Sequence, residues 1–259
     1  MFSNSILYSP EEYADTAVIA RTVGEEMLSR LDLMTLQPRT ILDVGCGTGE
    51  MSAKLSQYYP AADVLAVDTA LPMLQFAKGK SQVTKLISAS GEQLPLRDES
   101  VDLIFANFIL PWQSDIKAML DEWQRVLSPD GLLMLTALGL DTLGEWREVL
   151  GVKHIPTCVD MHDVGDALVQ AGFSDPVLDV DYYQVNYREQ TRLLHDLRQS
   201  GMWFPADAEV PEPPQSPSAL RLTYEVVFAH AFGQASKNEF SAASDGVVRI
   251  PLKHLRRGR

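Results

Sequence analysis

The chain has 259 residues, of which 46% are hydrophobic and 22% charged, a composition that suits one globular domain with a small insertion. Its formal net charge of −13 argues against a nucleic acid as the main partner. The apolar stretches are too short to cross a bilayer, and the first residues lack the regions of a secretory signal. Two cysteines cannot form a disulfide framework. We therefore expect a cytoplasmic protein without a membrane or nucleic-acid partner.

Helices and strands alternate along most of the sequence. Residues 10–34 are predicted to be helical, because Ser9 offers an N-cap and Pro10 suits the first helical position. The remaining predicted elements are a strand at 40–45, a helix at 50–58, a strand at 63–68, a helix at 70–79, strands at 85–89 and 101–108, a helix at 115–127, a turn at 128–131, a strand at 132–138, a helix at 161–172, a strand at 177–185 and a last strand at 222–231. These strands are apolar without strict alternation, which is typical of parallel strands covered on both faces. We predict an α/β fold with a doubly wound, mostly parallel seven-stranded sheet and an N-terminal helix.

One stretch interrupts this order. Residues 202–219 hold five of the 15 prolines, so they can form neither a helix nor a central strand. The stretch is either a connector or part of a lid. We predict a single domain over residues 1–259, with a cofactor-binding core at 37–140 and a cap with a proline-rich connector at 186–219, inserted before the last strand.

The most informative motif is the run Thr40-Ile-Leu-Asp-Val-Gly-Cys-Gly-Thr-Gly-Glu50. An apolar strand carries a carboxylate, Asp43, and leads into a loop in which Gly45, Gly47 and Gly49 alternate with Cys46 and Thr48. Glycine tolerates positive φ and lets a ligand lie close to the backbone. Helical periodicity resumes at once, so a polar ligand would meet the free N–H groups of a helix start.

A second carboxylate follows at the spacing that a nucleoside site requires. Nineteen residues after Gly49, the next apolar strand ends in Asp68, followed by Thr69. A carboxylate at this point can accept hydrogen bonds from both hydroxyls of a ribose. The two strands and the glycine loop therefore predict a site for a nucleoside cofactor.

The glycine spacing distinguishes between nucleoside cofactors. Dinucleotide sites have the pattern G-x-G-x-x-G, whereas this loop has G-x-G-x-G followed by Glu50, whose charge opposes a pyrophosphate but tolerates a zwitterionic amino acid. The pattern resembles motif I of the class I S-adenosylmethionine (SAM) methyltransferases. That resemblance implies SAM as the cofactor, with Asp43 near its amino group. A glycine-rich turn without a ligand and a dinucleotide enzyme are the alternatives.

Further candidates stand at the ends of later strands, where open α/β sheets bind their ligands. Ser90, Gly91 and Glu92 follow the third strand and resemble the methyltransferase segment beside the adenine, although a hydroxyl at Ser90 can equally cap the strand end. Asn107 ends the fourth strand as a polar residue in an apolar run, so it needs a partner and is a cofactor candidate. On the acceptor side the candidates are Trp112 and Tyr13, although a tryptophan at such a position is more often buried packing than a contact.

Other chemistries find little support in the sequence. The spacing of Asp160, His162 and Asp163 is not that of a metal-binding pair. A helix cap is the better explanation for Asp160 or Asp163. No G-x-S-x-G nucleophile motif is present. We expect no metal and no general base, because a carboxylate acceptor is already nucleophilic and positioning then suffices.

The later part of the chain resembles one particular family within the class I methyltransferases. Residues 122–131, 141–147 and 161–179, together with Thr223-Tyr-Glu-Val-Val-Phe-Ala-His-Ala231, resemble the malonyl-[acyl-carrier protein] O-methyltransferases of biotin synthesis, and the similarity covers roughly residues 8–232. The resemblance implies methyl transfer to the free carboxylate of a malonyl thioester on an acyl-carrier protein, with Asp43, Gly45, Gly47 and Asp68 binding SAM. An electrostatic contact of the basic residues 251–259 with the acidic carrier is one interpretation of that segment, and a solvated terminus is the other.

The chain departs from the family pattern at three places. Ser90 stands where an acid is expected, Leu110-Pro-Trp112 replaces an expected Gln-Trp pair, and the segment after Gly201 runs into the proline-rich stretch. These departures leave two alternatives open, a class I methyltransferase for another small or lipid-like acid and a non-catalytic assembly factor with a SAM-binding fold.

Overall fold

The computed structural model describes residues 9–80, 83, 85–110, 115–204, 212 and 220–234. Its helices are α1 (Pro10–Thr16), α2 (Val18–Arg30), α3 (Glu50–Tyr58), α4 (Leu71–Lys80), α5 (Ile116–Val126), α6 (Arg147–Leu150), α7 (Met161–Gln170) and α8 (Gln190–Gln199). Its strands are β1 (Thr40–Val44), β2 (Asp63–Asp68), β3 (Leu86–Ser88), β4 (Val101–Ala106), β5 (Leu127–Leu138), β6 (Ser174–Asn186) and β7 (Arg221–Phe232).

The seven strands form one sheet in the order β3-β2-β1-β4-β5-β7-β6. Strands β1 to β5 pair in parallel, and β7 runs antiparallel to both of its neighbours. This arrangement confirms the predicted doubly wound, mostly parallel sheet. The chain leaves β1 toward β2 and β3 and then returns to place β4 on the other side. The carboxyl ends of β1 and β4 therefore border a crevice at the point where the strand order reverses.

Both faces of the sheet are buried, which explains why its strands lack polar alternation. Along β4, Leu103 and Phe105 belong to one buried cluster, whereas Ile104 and Ala106 belong to the other. The first cluster includes buried residues of α2, α3 and α8, and the second includes residues of α5 and α7. Because successive side chains of a strand point to opposite faces, both sets must be apolar.

The prediction of one continuous helix over residues 10–34 is wrong. Ala17 adopts φ −75° and ψ 48°, which separates α1 from α2, and a 3₁₀ turn at Leu31–Leu33 ends the segment. The hydroxyl of Thr16 donates to the carbonyl of Glu12 at 2.8 Å, a local bond that competes with regular helix geometry. The break changes the direction of the chain beside the crevice.

The predicted turn at residues 128–131 lies inside a strand. Strand β5 begins at Leu127, which pairs with Val101, and the register then shifts so that Leu132 pairs with Leu103. The intervening residues bulge out, and Asp130 has φ +61°. The local signal for a turn is therefore real, but the chain resumes the same strand after it.

Two helices were absent from the predicted elements. The four-residue α6 is too short to leave a periodic signal, whereas α8 lies inside the predicted cap, where Leu193, Leu194 and Leu197 join the first buried cluster. Most of the proline-rich stretch 202–219 lies outside the described residues.

Within the described part of the chain, no helix has the length and apolar character needed to span a membrane.

Candidate functional site

The loop between β1 and α3 is held from the neighbouring strand. The N–H groups of Gly45 and Cys46 donate to the carbonyl of Val67 at 2.8 and 3.0 Å. Gly47 has φ +52°, a conformation that costs little only for glycine. A Cβ built on Gly47 would meet Cε1 of Tyr13 at 3.8 Å, so this glycine faces α1 across an open space.

The third glycine of the loop has a different role. Gly49 has φ +76°, and a Cβ there would lie 2.7 Å from Cβ of Ala77 in α4 and 3.2 Å from Cγ2 of Val83. This glycine therefore permits close packing of the loop against α4. It does not line the cleft described below, so its cofactor contact stays a prediction.

Asp68 supports the loop from the end of β2. Its Oδ2 accepts a hydrogen bond from the N–H of Gly47 at 2.9 Å, and its Oδ1 accepts one from Ala70 at 2.8 Å. Burial raises the pKa of this carboxyl although the backbone bonds oppose the change. The backbone of Thr69 is a third donor to this carboxylate, and two oxygens can accept about four hydrogen bonds, so a ribose contact is compatible with these bonds. Thr69 follows at an exposed position.

A cleft of about 500 Å³ lies between the glycine loop and the first two helices. Six of the predicted site residues line it, namely Tyr13, Asp43, Gly45, Cys46, Gly47 and Asn107. The other lining residues are Ala14, Ala17, Ala20, Arg21, Thr48, Glu50 and Met51. The loop and the acceptor-side candidate Tyr13 are thus brought together, across a separation of more than thirty positions in the chain.

Asp43 forms the base of this cleft. It is 2% exposed, and the hydroxyl of Ser52 donates to its Oδ2 at 2.5 Å. Burial raises the pKa of Asp43 to about 7, while the bond from Ser52 lowers it and the charge of Asp68 raises it further. A carboxylate with few protein donors in an enclosed site is suited to bind a cationic group of a ligand. The neighbouring Cys46 thiol is buried, which raises its pKa and keeps it neutral.

Asn107 joins three elements at the far wall of the cleft. Its Nδ2 donates to the carbonyl of Ala20 in α2 at 2.7 Å, and its Oδ1 accepts from the hydroxyl of Thr136 in β5 at 2.8 Å. The same hydroxyl oxygen accepts from the N–H of Phe108 at 3.0 Å. The partner that this polar residue needs is therefore within the protein, and the side chain anchors α2 to the sheet. A cofactor contact by Asn107 stays a prediction.

The segment after β3 lies outside the lining of the cleft. The hydroxyl oxygen of Ser90 accepts from the N–H of Glu92 at 3.2 Å, which is the strand-end capping role. Gly91 is buried, and its carbonyl accepts from Nε1 of Trp123 at 3.1 Å. These residues follow β3, which pairs with the strand that ends in Asp68. Ser90, Gly91 and Glu92 therefore lie on the Asp68 side of the glycine loop. Their contact with the adenine stays a prediction.

Arg21 lines the cleft but is not among the residues predicted from the sequence. It lies eight positions after Tyr13 and four after Ala17, a spacing that places the three residues on one face of the helix predicted over residues 10–34. That spacing is the signal that could have revealed it. Its partner in the cleft, Glu50, is the residue whose charge favours a zwitterionic amino acid over a pyrophosphate in the sequence. Trp112, the second acceptor-side candidate, lies outside the described residues.

The candidate metal cluster has another explanation. Oδ1 of Asp160 accepts from the N–H of His162 at 2.8 Å, so this aspartate caps α7. Among the residues that the structure describes, no group of three or more His, Cys, Asp or Glu side chains could hold a metal ion.

The residues of the cleft fit the amino-acid end of SAM. Asp43 and Glu50 offer two carboxylates to cationic groups, and Gly47 leaves the space that a side chain would fill. A family model described as a methyltransferase domain matches residues 42–135. A SAM-dependent methyltransferase of Thermotoga maritima, titled a possible histamine N-methyltransferase, aligns with a TM-score of 0.57 at 16% identity and covers 86% of this chain and 95% of that chain. The fold and the cleft define a class I SAM-dependent methyltransferase, and SAM is its cofactor.

Two curated relatives define the family. The chain is 37% identical over 248 residues to the malonyl-[acyl-carrier protein] O-methyltransferase of Methylovorus sp. (strain MP688), covering 85% of this chain and 84% of the relative. It is 38% identical over 255 residues to the enzyme of the same name from Gallionella capsiferriformans (strain ES-2), covering 88% of each. This chain belongs to the malonyl-[acyl-carrier protein] O-methyltransferase family. The resemblance inferred from its later blocks is confirmed.

Proposed function

We propose that this protein transfers a methyl group from SAM to the free carboxylate of malonyl-[acyl-carrier protein], the step that opens pimeloyl and biotin synthesis. The observation that carries the proposal is the similarity to enzymes of that name along most of the chain, including the region after the cofactor core. The intact glycine loop and the enclosed Asp43 argue against a non-catalytic assembly factor.

The chemistry requires little of the protein beyond positioning. SAM supplies a methyl group on a sulfonium, which carries its own leaving group. The acceptor carboxylate is already a nucleophile, so the protein needs no general base and must instead align the two reactants and exclude water. A methyl ester also hides a negative charge, and a neutral ester enters an apolar site far more readily than a carboxylate does.

We propose the following roles for the predicted residues. Asp43 binds the ammonium group of SAM at the base of the cleft, where burial favours pairing with a cation. Asp68 accepts the ribose hydroxyls while it supports Gly47. The segment from Ser90 to Glu92 borders the adenine, and Tyr13 and Trp112 contact the acceptor.

A second cavity supports a position for the acceptor. It measures about 360 Å³ and lies between the junction of α1 and α2 and the end of the cap, with Tyr187, Met202 and Tyr224 in its wall. It shares Ala17 and Ala20 with the cofactor cleft. Helix α8 also packs against α1. We therefore propose that residues 37–140 bind SAM and that residues 186–219 form a cap over the acceptor.

The carrier protein and the compartment belong to the same proposal. We propose that the protein acts in the cytoplasm on a malonyl group delivered by an acyl-carrier protein, and the free thiols of Cys46 and Cys158 fit such a reducing compartment.

Complementation tests the proposed acceptor. The gene is expressed in a biotin-requiring strain that lacks this methyltransferase, and growth without biotin is expected. An Asp43→Asn variant serves as the control that should fail to restore growth. Purified protein is assayed in parallel for labelled methyl transfer from SAM to malonyl-[acyl-carrier protein]. Absence of both growth and transfer, in a protein that still binds SAM, would show that the acceptor is a different acid.

A further inference from the structure

Arg21 is held at the mouth of the cofactor cleft by two contacts. Its Nε donates to Oε2 of Glu50 at 3.0 Å, and its Nη2 donates to the carbonyl of Ala14. The break after α1 leaves the last carbonyls of that helix without helical donors, and Arg21 supplies one. Among the described residues, these bonds use two of the five N–H groups of the guanidinium, so the others are available to a ligand.

The surrounding charges keep Arg21 able to attract an anion. Glu50 also pairs with Lys54 at 3.1 Å, and Lys54 pairs with Glu25 at 2.5 Å. The negative charge of Glu50 is therefore shared between two cations.

The charged side chains of the cleft equal the charged groups of SAM in number and are opposite to them in sign. Among the described lining residues, Asp43 and Glu50 are acidic and Arg21 is the basic one. SAM carries two cationic groups, an ammonium and a sulfonium, and one carboxylate. With the ammonium assigned to Asp43, Arg21 is the lining residue whose charge complements the carboxylate.

We propose that Arg21 binds the carboxylate at the amino-acid end of SAM. Its two protein contacts orient the guanidinium before the cofactor arrives, so less side-chain freedom is lost on binding. A planar guanidinium also offers paired donors to a carboxylate, which an ammonium cannot do. The inference rests on SAM as the cofactor and on the proposed role of Asp43, but not on the identity of the acceptor, so its failure would leave the acceptor open.

The test compares two ligands that differ by one carboxylate. Isothermal titration calorimetry measures the binding of SAM and of decarboxylated SAM, which keeps both cationic groups but lacks the carboxylate. For Arg21→Gln we expect SAM binding to weaken by about tenfold or more, since a charge-assisted bond is lost, and decarboxylated SAM binding to stay within about twofold of the wild type. Lys54→Gln is the matched control, because it removes a cation from the same ion network outside the lining of the cleft. Because Lys54 acts only through Glu50, this variant should weaken SAM binding much less than Arg21→Gln does.

Two outcomes would overturn the proposal. Equal weakening of both ligands by Arg21→Gln would mean that Arg21 only holds Ala14 and Glu50 in place. Unchanged SAM binding, with a raised KM for the acceptor, would assign Arg21 to the acceptor carboxylate instead.

Thermal unfolding checks that the Arg21→Gln variant folds. Arg21→Lys is the second variant, which keeps the charge but loses the forked donors, and it should weaken SAM binding several-fold without affecting decarboxylated SAM.

Discussion

The hydroxyl of Ser52 donates a hydrogen bond of 2.5 Å to the carboxylate of Asp43, and so joins the first turn of α3 to the strand before the glycine loop. Burial nevertheless dominates at Asp43 and raises its pKa to about 7. The residue proposed to bind the ammonium group therefore changes its charge near neutral pH. This has one consequence for cofactor binding and another for stability.

SAM affinity should rise with pH through the pKa of Asp43. Below about pH 6 the carboxyl is mostly protonated and attracts an ammonium weakly, whereas at about pH 7.5 it is mostly ionised. We expect the logarithm of the association constant to rise by up to about one unit per pH unit on the acid side. Calorimetry across this range, with Asp43→Asn as the flat control, measures the slope. An equal slope in both proteins would assign the titration to another group.

Replacing Asp43 should stabilise the cofactor-free protein while impairing binding. The folded-state pKa lies above the value of 3.8 in the unfolded chain, so the folded state binds more protons between these values. Hence the free energy of unfolding falls as pH rises through this window and stays low above about pH 7. Asp43→Asn removes this penalty, and at about pH 8 we expect a gain of about 1–3 kcal/mol, reduced by burial of the amide. Urea unfolding at about pH 5 should show a much smaller gain; an equal gain at both pH values would contradict the explanation.

Removing the Asp68 carboxylate should affect both the cofactor and the loop. Asp68→Ala should weaken SAM binding by about 1–3 kcal/mol, because a hydrogen-bonding partner is lost in a largely buried position. The N–H groups of Gly47 and Ala70 also lose their acceptor, so the melting temperature should fall. Asp68→Asn keeps one oxygen acceptor and should lower the melting temperature less. Unchanged SAM affinity in calorimetry would remove Asp68 from the binding site.

The two glycines on either side of Thr48 should respond differently to alanine. Gly49→Ala brings Cβ to 2.7 Å from Ala77 and strains a φ of +76°, so we expect a loss of stability on the order of 2–4 kcal/mol. Gly47→Ala meets Tyr13 only at 3.8 Å, and its cost should be about 1–2 kcal/mol from the backbone alone. SAM binding should nevertheless suffer at Gly47, because the methyl group projects toward the cleft. Urea unfolding and calorimetry on both variants check the pair, and equal stability losses would argue against separate roles.

The basic segment 251–259, which lies outside the described residues, should act on the carrier and not on the cofactor. Deleting residues 252–259 removes four positive charges, so the KM for malonyl-[acyl-carrier protein] should rise and depend less on salt. SAM affinity should not change. Steady-state kinetics at low and high salt with the full and shortened chains measure this. An unaffected KM would leave the segment as a solvated terminus.

Features of the fold that depend on neighbouring residues were predictable from the sequence. The apolar strands and the glycine loop predicted the seven-stranded sheet and its cofactor. Buried strands require runs of apolar residues and a loop with positive φ favours glycine, so both features are visible in short stretches of sequence. Errors arose where local signals were ambiguous. The break at Ala17 has no proline or glycine to announce it, and the bulge before Leu132 has the sequence of an ordinary turn.

The sequence by itself determined the class of cofactor, the order of the strands, and the family. Only the tertiary structure decided which side chains share the cleft. Arg21 meets Glu50 across 29 positions, and Asn107 reaches the carbonyl of Ala20 across 87. The structure also assigned Gly49 to packing against α4, although the loop pattern alone treats the three glycines alike. The physical reason is that contacts between distant segments depend on how the helices pack on the sheet, which no local pattern of residues encodes.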